Sequence, residues 1–253
     1  MTTEPVKPMI TIECKCECGA SFIWECEDEF LLPYKPAHCP KCSDARNAEI
    51  EKRQAQDAAD KIERLRKTLL HEIAAATPPR YQQTDVAHQG FNRAAWAKIK
   101  TWDRTDAKPW LGMVGPTGAC KSRMAYLLAS NYLQDTFTND GGPSFEFVSA
   151  FEITEAVMQT FSDNAEVKHQ ARASLNSLRK CDLLVIDDLG KGRLTPAPAA
   201  ELFALLDFRH ARNRALIWTS NSTPQQIAAT LPEDLGGPLA GRLLECSKIY
   251  SLK

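Results

Sequence analysis

Short apolar runs alternate with amphipathic stretches through the last two thirds of the chain. Three runs read as strands: Trp110-Leu111-Gly112-Met113-Val114, Leu183-Leu184-Val185-Ile186 and Ala215-Leu216-Ile217-Trp218. Unbroken apolar runs of this length, separated by helical stretches such as Met124 to Leu133, suit parallel strands buried on both faces. The pattern predicts an α/β domain, a parallel sheet with helices on both faces. Upstream, residues 46–76 contain neither Pro nor Gly and are dense in charge, and Ile62, Leu65, Leu69 and Ile73 recur at helical spacing. One long helix is expected there. Thr77-Pro78-Pro79 should end it, because a residue before proline is pushed out of the helical region. The first 45 residues are cysteine-rich and acidic, with Pro33, Pro36 and Pro40 breaking regular structure. The expected organisation is a front module at 1–45, a helical linker at 46–77 and the α/β domain at 78–253.

The first strand runs directly into Gly115-Pro116-Thr117-Gly118-Ala119-Cys120-Lys121-Ser122, and a helical stretch follows. Strand, glycine-rich loop and helix in this order make a P-loop, whose backbone N–H groups wrap the phosphates of a nucleotide. Lys121 is expected on the β- and γ-phosphates of ATP, and the Ser122 hydroxyl on Mg²⁺. The nucleotide-contacting stretch extends to Arg123. The motif asks for glycine immediately before the lysine, and Cys120 stands there instead. If the backbone needs φ > 0 at that point, a side chain costs about 1–2 kcal/mol. Two outcomes stay open: an ordinary ATPase, or one that binds ATP and hydrolyses it slowly.

The second run ends in Asp187-Asp188. Carboxylates at the C-terminal end of a buried parallel strand sit where ligands of open α/β sheets bind. Asp187 is expected to hold Mg²⁺, and Asp188 to polarise the attacking water as general base. The third run ends in Thr219-Ser220-Asn221, and Asn221 is placed to position that water or sense the γ-phosphate. A strand ending in acids is weak evidence alone. Downstream of a P-loop it is strong.

Six of the nine cysteines lie between Cys14 and Cys42. A disulfide scaffold would be small and secreted, so close spacing in a chain of 253 residues points to metal. Cys16-Glu17-Cys18 is followed after twenty residues by Cys39-Pro40-Lys41-Cys42. Two such pairs suit a tetrahedral zinc site with Cys16, Cys18, Cys39 and Cys42 as ligands. Cys14 and Cys26 are spare, and His38 is a rival ligand. The module also carries Phe22, Ile23, Trp24, Phe30, Leu31, Leu32 and Tyr34, more apolar residues than a small metal knot needs. Glu25, Glu27, Asp28 and Glu29 argue against phosphate contact there, which leaves a protein partner.

Formal net charge is −1, so nucleic-acid contact has to come from local patches. No run approaches the ~20 apolar residues of a membrane span. The stretch Met1 to Met9 lacks the basic and apolar regions of a signal peptide, which predicts a cytoplasmic protein.

Pro78-Pro79-Arg80-Tyr81, the P-loop with Gly115, Lys121 and Ser122, Leu183 to Gly190, and Thr219-Ser220-Asn221 occur in a telling order. Together they resemble the DnaC/DnaI helicase loaders and the related IstB transposition ATPases, over roughly residues 78 to 253. The resemblance implies an AAA+ ATPase core without the usual C-terminal helical lid, in keeping with a sequence that stops soon after the core. It implies ATP-controlled assembly into a homo-oligomer, single-stranded DNA contact and delivery of a ring-shaped replicative helicase to DNA. It further implies that a zinc-bearing front domain grips that helicase. Two positions depart from the family. Asp187-Asp188 stands where Asp-Glu is common, and the late arginine motif reads Gly241-Arg242-Leu243-Leu244-Glu245-Cys246. Arg242 matches one arginine of that motif and Cys246 stands at the finger position, so the finger role falls to Arg242, with a surface or salt-bridged arginine as the alternative. Three functions follow: a helicase loader, an IstB-like transposition or recombination helper that polymerises on DNA, and a zinc-bearing DNA adaptor with a degenerate ATPase. The zinc module favours the first.

Overall fold

The computed structural model describes residues 9–83, 86–88, 90–103, 108–138, 142–192 and 194–252. The stretch read for a signal peptide therefore lies, apart from Met9, outside the described residues. The elements run β1 (Ile10–Lys15), β2 (Ser21–Cys26), a 3-10 turn (Glu29–Tyr34), α1 (Pro40–Ala76), α2 (Pro79–Gln82), α3 (Arg93–Ile99), β3 (Trp110–Val114), α4 (Lys121–Asp135), β4 (Phe145–Ser149), α5 (Ala150–Gln159), α6 (Ala165–Lys180), β5 (Leu183–Asp187), α7 (Pro196–Ala211), β6 (Ala215–Ser220), α8 (Pro224–Ala228), α9 (Glu233–Cys246) and β7 (Ser247–Ser251). Packing divides the chain into two units, Met1–Glu63 and Arg64–Lys253.

The larger unit holds a five-stranded parallel sheet in the order β4-β5-β6-β3-β7. The three strands expected from the apolar runs are its centre. Along each of them, side chains alternate between two cores. Trp110, Val114, Leu184, Ile186, Leu216 and Trp218 enter one, packed against α5, α6, α7 and α9. Leu111, Met113, Leu183, Val185, Ala215 and Ile217 enter the other, under α3 and α4. Burial on both faces is why these strands read as unbroken apolar runs. Gly112 pairs with Trp218 across β3 and β6, and a Cβ there would lie 2.3 Å from the indole. The glycine in that strand makes room for the largest side chain of the neighbouring one. Two strands went unread in the sequence. β4 lies at one edge. β7 lies at the other, and its residues, Ser247-Lys248-Ile249-Tyr250-Ser251, form no apolar run.

The long helix ends where expected. Thr77 and Pro78 stop it, and the Gln82 side-chain amide donates to the carbonyls of Ala74 and Thr77, satisfying two orphan acceptors. Its start differs from the expected Arg46, because α1 begins at Pro40. Pro40 opens a helix instead of breaking one. In the first turn its missing N–H is one that no helix would use. The division between the two units falls inside α1. Leu69 and Ile73, near its C-terminal end, are buried in the core shared with α3 and α4. In the smaller unit, β1 and β2 form an antiparallel hairpin, and the 3-10 turn and the first part of α1 follow it.

Candidate functional site

The P-loop leaves the C-terminal end of β3 and feeds α4, whose first residue is Lys121. Gly118 has φ +88°, and Cys120, at the N-cap of α4, has φ 57° and ψ 22°. The loop therefore does adopt a left-handed conformation at the position where the motif prefers glycine, and the cysteine accepts that strain. Its thiol points to the carbonyl of Gly90 at 3.3 Å. Lys121 is buried, and its ammonium donates to Gly115 O at 2.8 Å, Pro116 O at 2.8 Å and Asn221 Oδ1 at 2.7 Å. Burial pulls its pKa below the usual lysine range, an effect opposed by the carboxylates of Asp188 and Asp187.

Ser122 Oγ donates to Asp187 Oδ1 at 2.8 Å, so the two groups expected on Mg²⁺ already touch. Thr219 ties the acids together. Its hydroxyl donates to Asp187 Oδ1 and accepts the backbone N–H of Asp188 at 3.0 Å. Asp188 lies one residue past the end of β5, in a left-handed conformation with φ 57°. Lys191 Nζ pairs with Asp188 Oδ2 at 3.0 Å, which raises the lysine pKa. Asn221 lies one residue past β6, and its amide also reaches Thr117 Oγ1 at 3.5 Å. A cavity of about 480 Å³ opens here, lined by Thr117, Gly118, Cys120, Lys121, Ser122, Arg123, Asp188 and Asn221. Ala119 and Cys120, on the P-loop, also pack against the core beneath α4.

Other residues complete the cavity wall: Arg80, Tyr81, His88, Gly90 and Lys191. Tyr81 stacks on Tyr126 of α4 with ring centroids 5.1 Å apart, and the Arg123 guanidinium lies 5.7 Å from the Tyr81 ring centre. The contacts of Thr219 and Lys191 with the two acids escaped the sequence reading. A threonine in an apolar strand and a lysine in a glycine-flanked loop carry no local signal of contact with a carboxylate. Arg242 does not line this cavity. It pairs with Asp207 Oδ1 at 3.0 Å and Glu245 Oε2 at 3.3 Å on its own chain, the salt-bridged alternative foreseen for it. Cys246 is buried.

In the smaller unit, one donor atom from each of Cys16, Cys18, Cys39 and Cys42 lies within 4.8 Å of every other. The first pair sits on the hairpin turn, where Gly19 has φ +87° and its N–H bonds to Cys16 O at 2.9 Å. The second pair straddles the start of α1, where Ser43 N bonds to Cys39 O at 2.9 Å. Backbone N–H groups of Cys18 and Cys39 lower the Cys16 thiol to about 6, whereas bonding to the other thiols pushes Cys42 up to about 12. Four converging sulfurs and no carboxylate are a donor set that fits zinc. Of the spare candidates, His38 lines the same cavity as Cys16, Cys18 and Cys42, but its Nε2 accepts from Arg46 at 2.8 Å. Cys14 lies opposite Phe22 and Cys26 opposite Ile10 in the hairpin register. The apolar residues of this unit split. Phe22, Trp24 and Leu32 are half-buried, whereas Ile23, Phe30 and Tyr34 are 67%, 75% and 71% exposed.

The profile of the family described as IstB-like ATP binding protein matches residues 51–253. No curated protein matches the sequence. Among solved structures, the DnaC helicase loader aligns with a TM-score of 0.52 at 18% identity, over 70% of this chain and 100% of that one. DnaI aligns with a TM-score of 0.52 at 18% identity, over 72% of this chain and 94% of that one. DnaA from Aquifex aeolicus, bound to AMPPCP, aligns with a TM-score of 0.51 at 16% identity, over 70% of this chain and 51% of that one. The chain thus spans about half the length of the replication initiators it resembles. At these identities the likeness is one of fold. No helix among the described residues is long and apolar enough to cross a membrane.

Proposed function

Because the chain belongs to the IstB-like ATP-binding protein family and carries an AAA+ P-loop core, we propose that it is an ATP-driven switch that delivers a ring-shaped replicative helicase to DNA. The observation that carries this reading is the pairing of two units in one chain. One has a nucleotide site, and the other has a four-cysteine cluster with exposed Ile23, Phe30 and Tyr34. Exposed aromatic side chains beside the acidic run Glu25 to Glu29 support a protein partner for the front unit over a phosphate backbone.

In this reading the P-loop, Gly115 to Ser122, wraps the ATP phosphates through backbone N–H groups, and Lys121 neutralises the β- and γ-phosphates. Ser122 and Asp187 hold Mg²⁺. Asp188 takes the proton of the attacking water, with Lys191 and the Thr219 hydroxyl positioning it. Asn221 passes from the Lys121 ammonium to the γ-phosphate or the water. Arg242 exchanges its own-chain carboxylates for the nucleotide of a neighbouring copy in a homo-oligomer. Cys16, Cys18, Cys39 and Cys42 would hold zinc, which would fix the front unit in a helicase-binding shape. Single-stranded DNA is engaged by the assembled ATPase units.

A second reading is an IstB-like transposition or recombination helper that assembles on DNA with ATP, which the family profile accommodates equally. One experiment separates them. Full-length protein with ATP is mixed with purified ring helicases and with single- and double-stranded DNA. Stoichiometric capture of one helicase, with its transfer to single-stranded DNA, supports the loader. ATP-dependent filaments on duplex DNA, with every helicase ignored, overturn it in favour of the second reading.

A further inference from the structure

Away from the nucleotide cavity, the C-terminal ends of two helices converge. His210 lies in the last turn of α7, and Glu245 and Cys246 are the last two residues of α9. One imidazole nitrogen, one carboxylate oxygen and the thiol sulfur lie within 4.8 Å of one another. We propose that His210, Glu245 and Cys246 form a second metal site, for a zinc-type divalent ion completed by water.

Several independent features support it. The donor set is nitrogen, sulfur and one oxygen, which selects zinc over magnesium or calcium. Three protein ligands with a fourth position open to water is an ordinary zinc arrangement. Among the described residues, the His210 ring and the Cys246 thiol make no side-chain hydrogen bond, so their donor atoms are uncommitted. The imidazole is oriented from one side by the buried Trp110 ring, edge-on with centroids 6.3 Å apart. Trp110 is itself fixed by a 3.0 Å bond from its indole N–H to Arg214 O. The burial gradient suits a partly open site: Cys246 is buried, His210 half-buried and Glu245 exposed. Helix C-termini also attract cations, because their last carbonyls lack partners. Lys108 already shows this, donating to Leu244 O at 2.8 Å.

Two positive charges face the site and must be accommodated. Lys108 is exposed and can swing into water. Arg242 gives up Glu245 but keeps Asp207, to which two of its nitrogens donate at 3.2 and 3.0 Å. The metal would therefore compete with Arg242 for Glu245, and its presence would leave Arg242 on one carboxylate instead of two.

The test uses the full-length chain, with zinc counted by elemental analysis and Co²⁺ substituted as a spectroscopic probe. Two metal equivalents per chain are expected. His210→Ala and Cys246→Ser should each lower this to one, while Cys39→Ser combined with Cys42→Ser should remove only the other. Thiolate-to-cobalt absorption should fall in Cys246→Ser and persist in Glu245→Gln. Since Cys246 is buried and its replacement can disturb α9, Glu245→Gln serves as the second variant. It should weaken the second cobalt equivalent while leaving the melting temperature of metal-free protein unchanged. A single equivalent in the wild-type chain that is lost with Cys39→Ser and Cys42→Ser and kept in His210→Ala overturns the proposal. So does a second equivalent indifferent to both His210→Ala and Glu245→Gln.

Discussion

Lys121 and Asn221, 100 residues apart in the chain, are joined by a 2.7 Å hydrogen bond from the lysine ammonium to the amide oxygen. The bond links the start of α4 to the end of β6, across the C-terminal edge of the sheet. In the function proposed above, a γ-phosphate bound here would draw Lys121 away from Asn221.

Lys121→Ala removes the only charge that this pair offers to phosphate. ATP affinity should fall at least ~30-fold, about 2 kcal/mol for a charge-assisted hydrogen bond. Asn221→Ala should bind ATP with nearly unchanged affinity but hydrolyse it slowly. Equilibrium binding of a fluorescent ATP analogue and steady-state turnover check both. Equal ATP affinity in wild type and Lys121→Ala would remove the lysine from the phosphate site.

Asp188→Asn should keep ATP binding and lower turnover by about 10²- to 10⁴-fold, the usual contribution of a general base. Asparagine tolerates the left-handed φ of 57° that this position requires, so the fold should hold. Thr219→Val leaves the Asp188 N–H without its acceptor and Asp187 with Ser122 as its remaining side-chain donor. It should reduce turnover and also destabilise the protein by about 1–3 kcal/mol. Unchanged turnover in Asp188→Asn would move the base elsewhere.

Cys120→Gly relieves a side chain held at φ 57°. Stability should rise by about 1 kcal/mol, or about 2–4 °C in melting temperature for a unit of this size, with ATPase rate preserved or raised. Calorimetry and turnover read the two effects separately. A collapse of activity would mean that the thiol, with its contact to the Gly90 carbonyl, has become part of the site.

The two units should separate when the chain is cut inside α1, and the position of the cut decides the outcome. A fragment starting at Arg64 should fold and bind ATP without the helicase. A fragment starting at Thr77 lacks Leu69 and Ile73, which are 4% and 5% exposed in the core. It should lose about 1.5–3 kcal/mol for each. The complementary front fragment, residues 1–63, should carry one zinc ion and unfold on chelation, since metal binding supplies most of the folding free energy of so small a knot. Circular dichroism with metal analysis on the three fragments decides. A front fragment that stays folded without metal would end the zinc reading.

Much of the nucleotide site was legible because its signals are local. The P-loop spells its own strand, turn and helix start. The runs from Trp110, Leu183 and Ala215 are apolar throughout because each strand is covered on both faces. Local pattern also placed the end of α1, through Thr77 and two prolines. It gave no sign of β7, whose polar sequence becomes a strand because β3 offers it a free edge. Nor did it show that α1 starts at Pro40, where a proline is as acceptable to a helix as to a turn.

The amino-acid sequence by itself determined the element types, the nucleotide-binding loop and the cysteine pairs. The tertiary structure decided which distant side chains meet. It put Thr219 between two aspartates, Asn221 on Lys121, and His210 beside Glu245 and Cys246. It also brought the sulfurs of Cys16, Cys18, Cys39 and Cys42 within 4.8 Å of one another. The physical reason is one of range. Hydrophobic periodicity and backbone preference act within a few residues. The order of strands in a sheet and the convergence of helix ends follow from burying every apolar face of the chain at once.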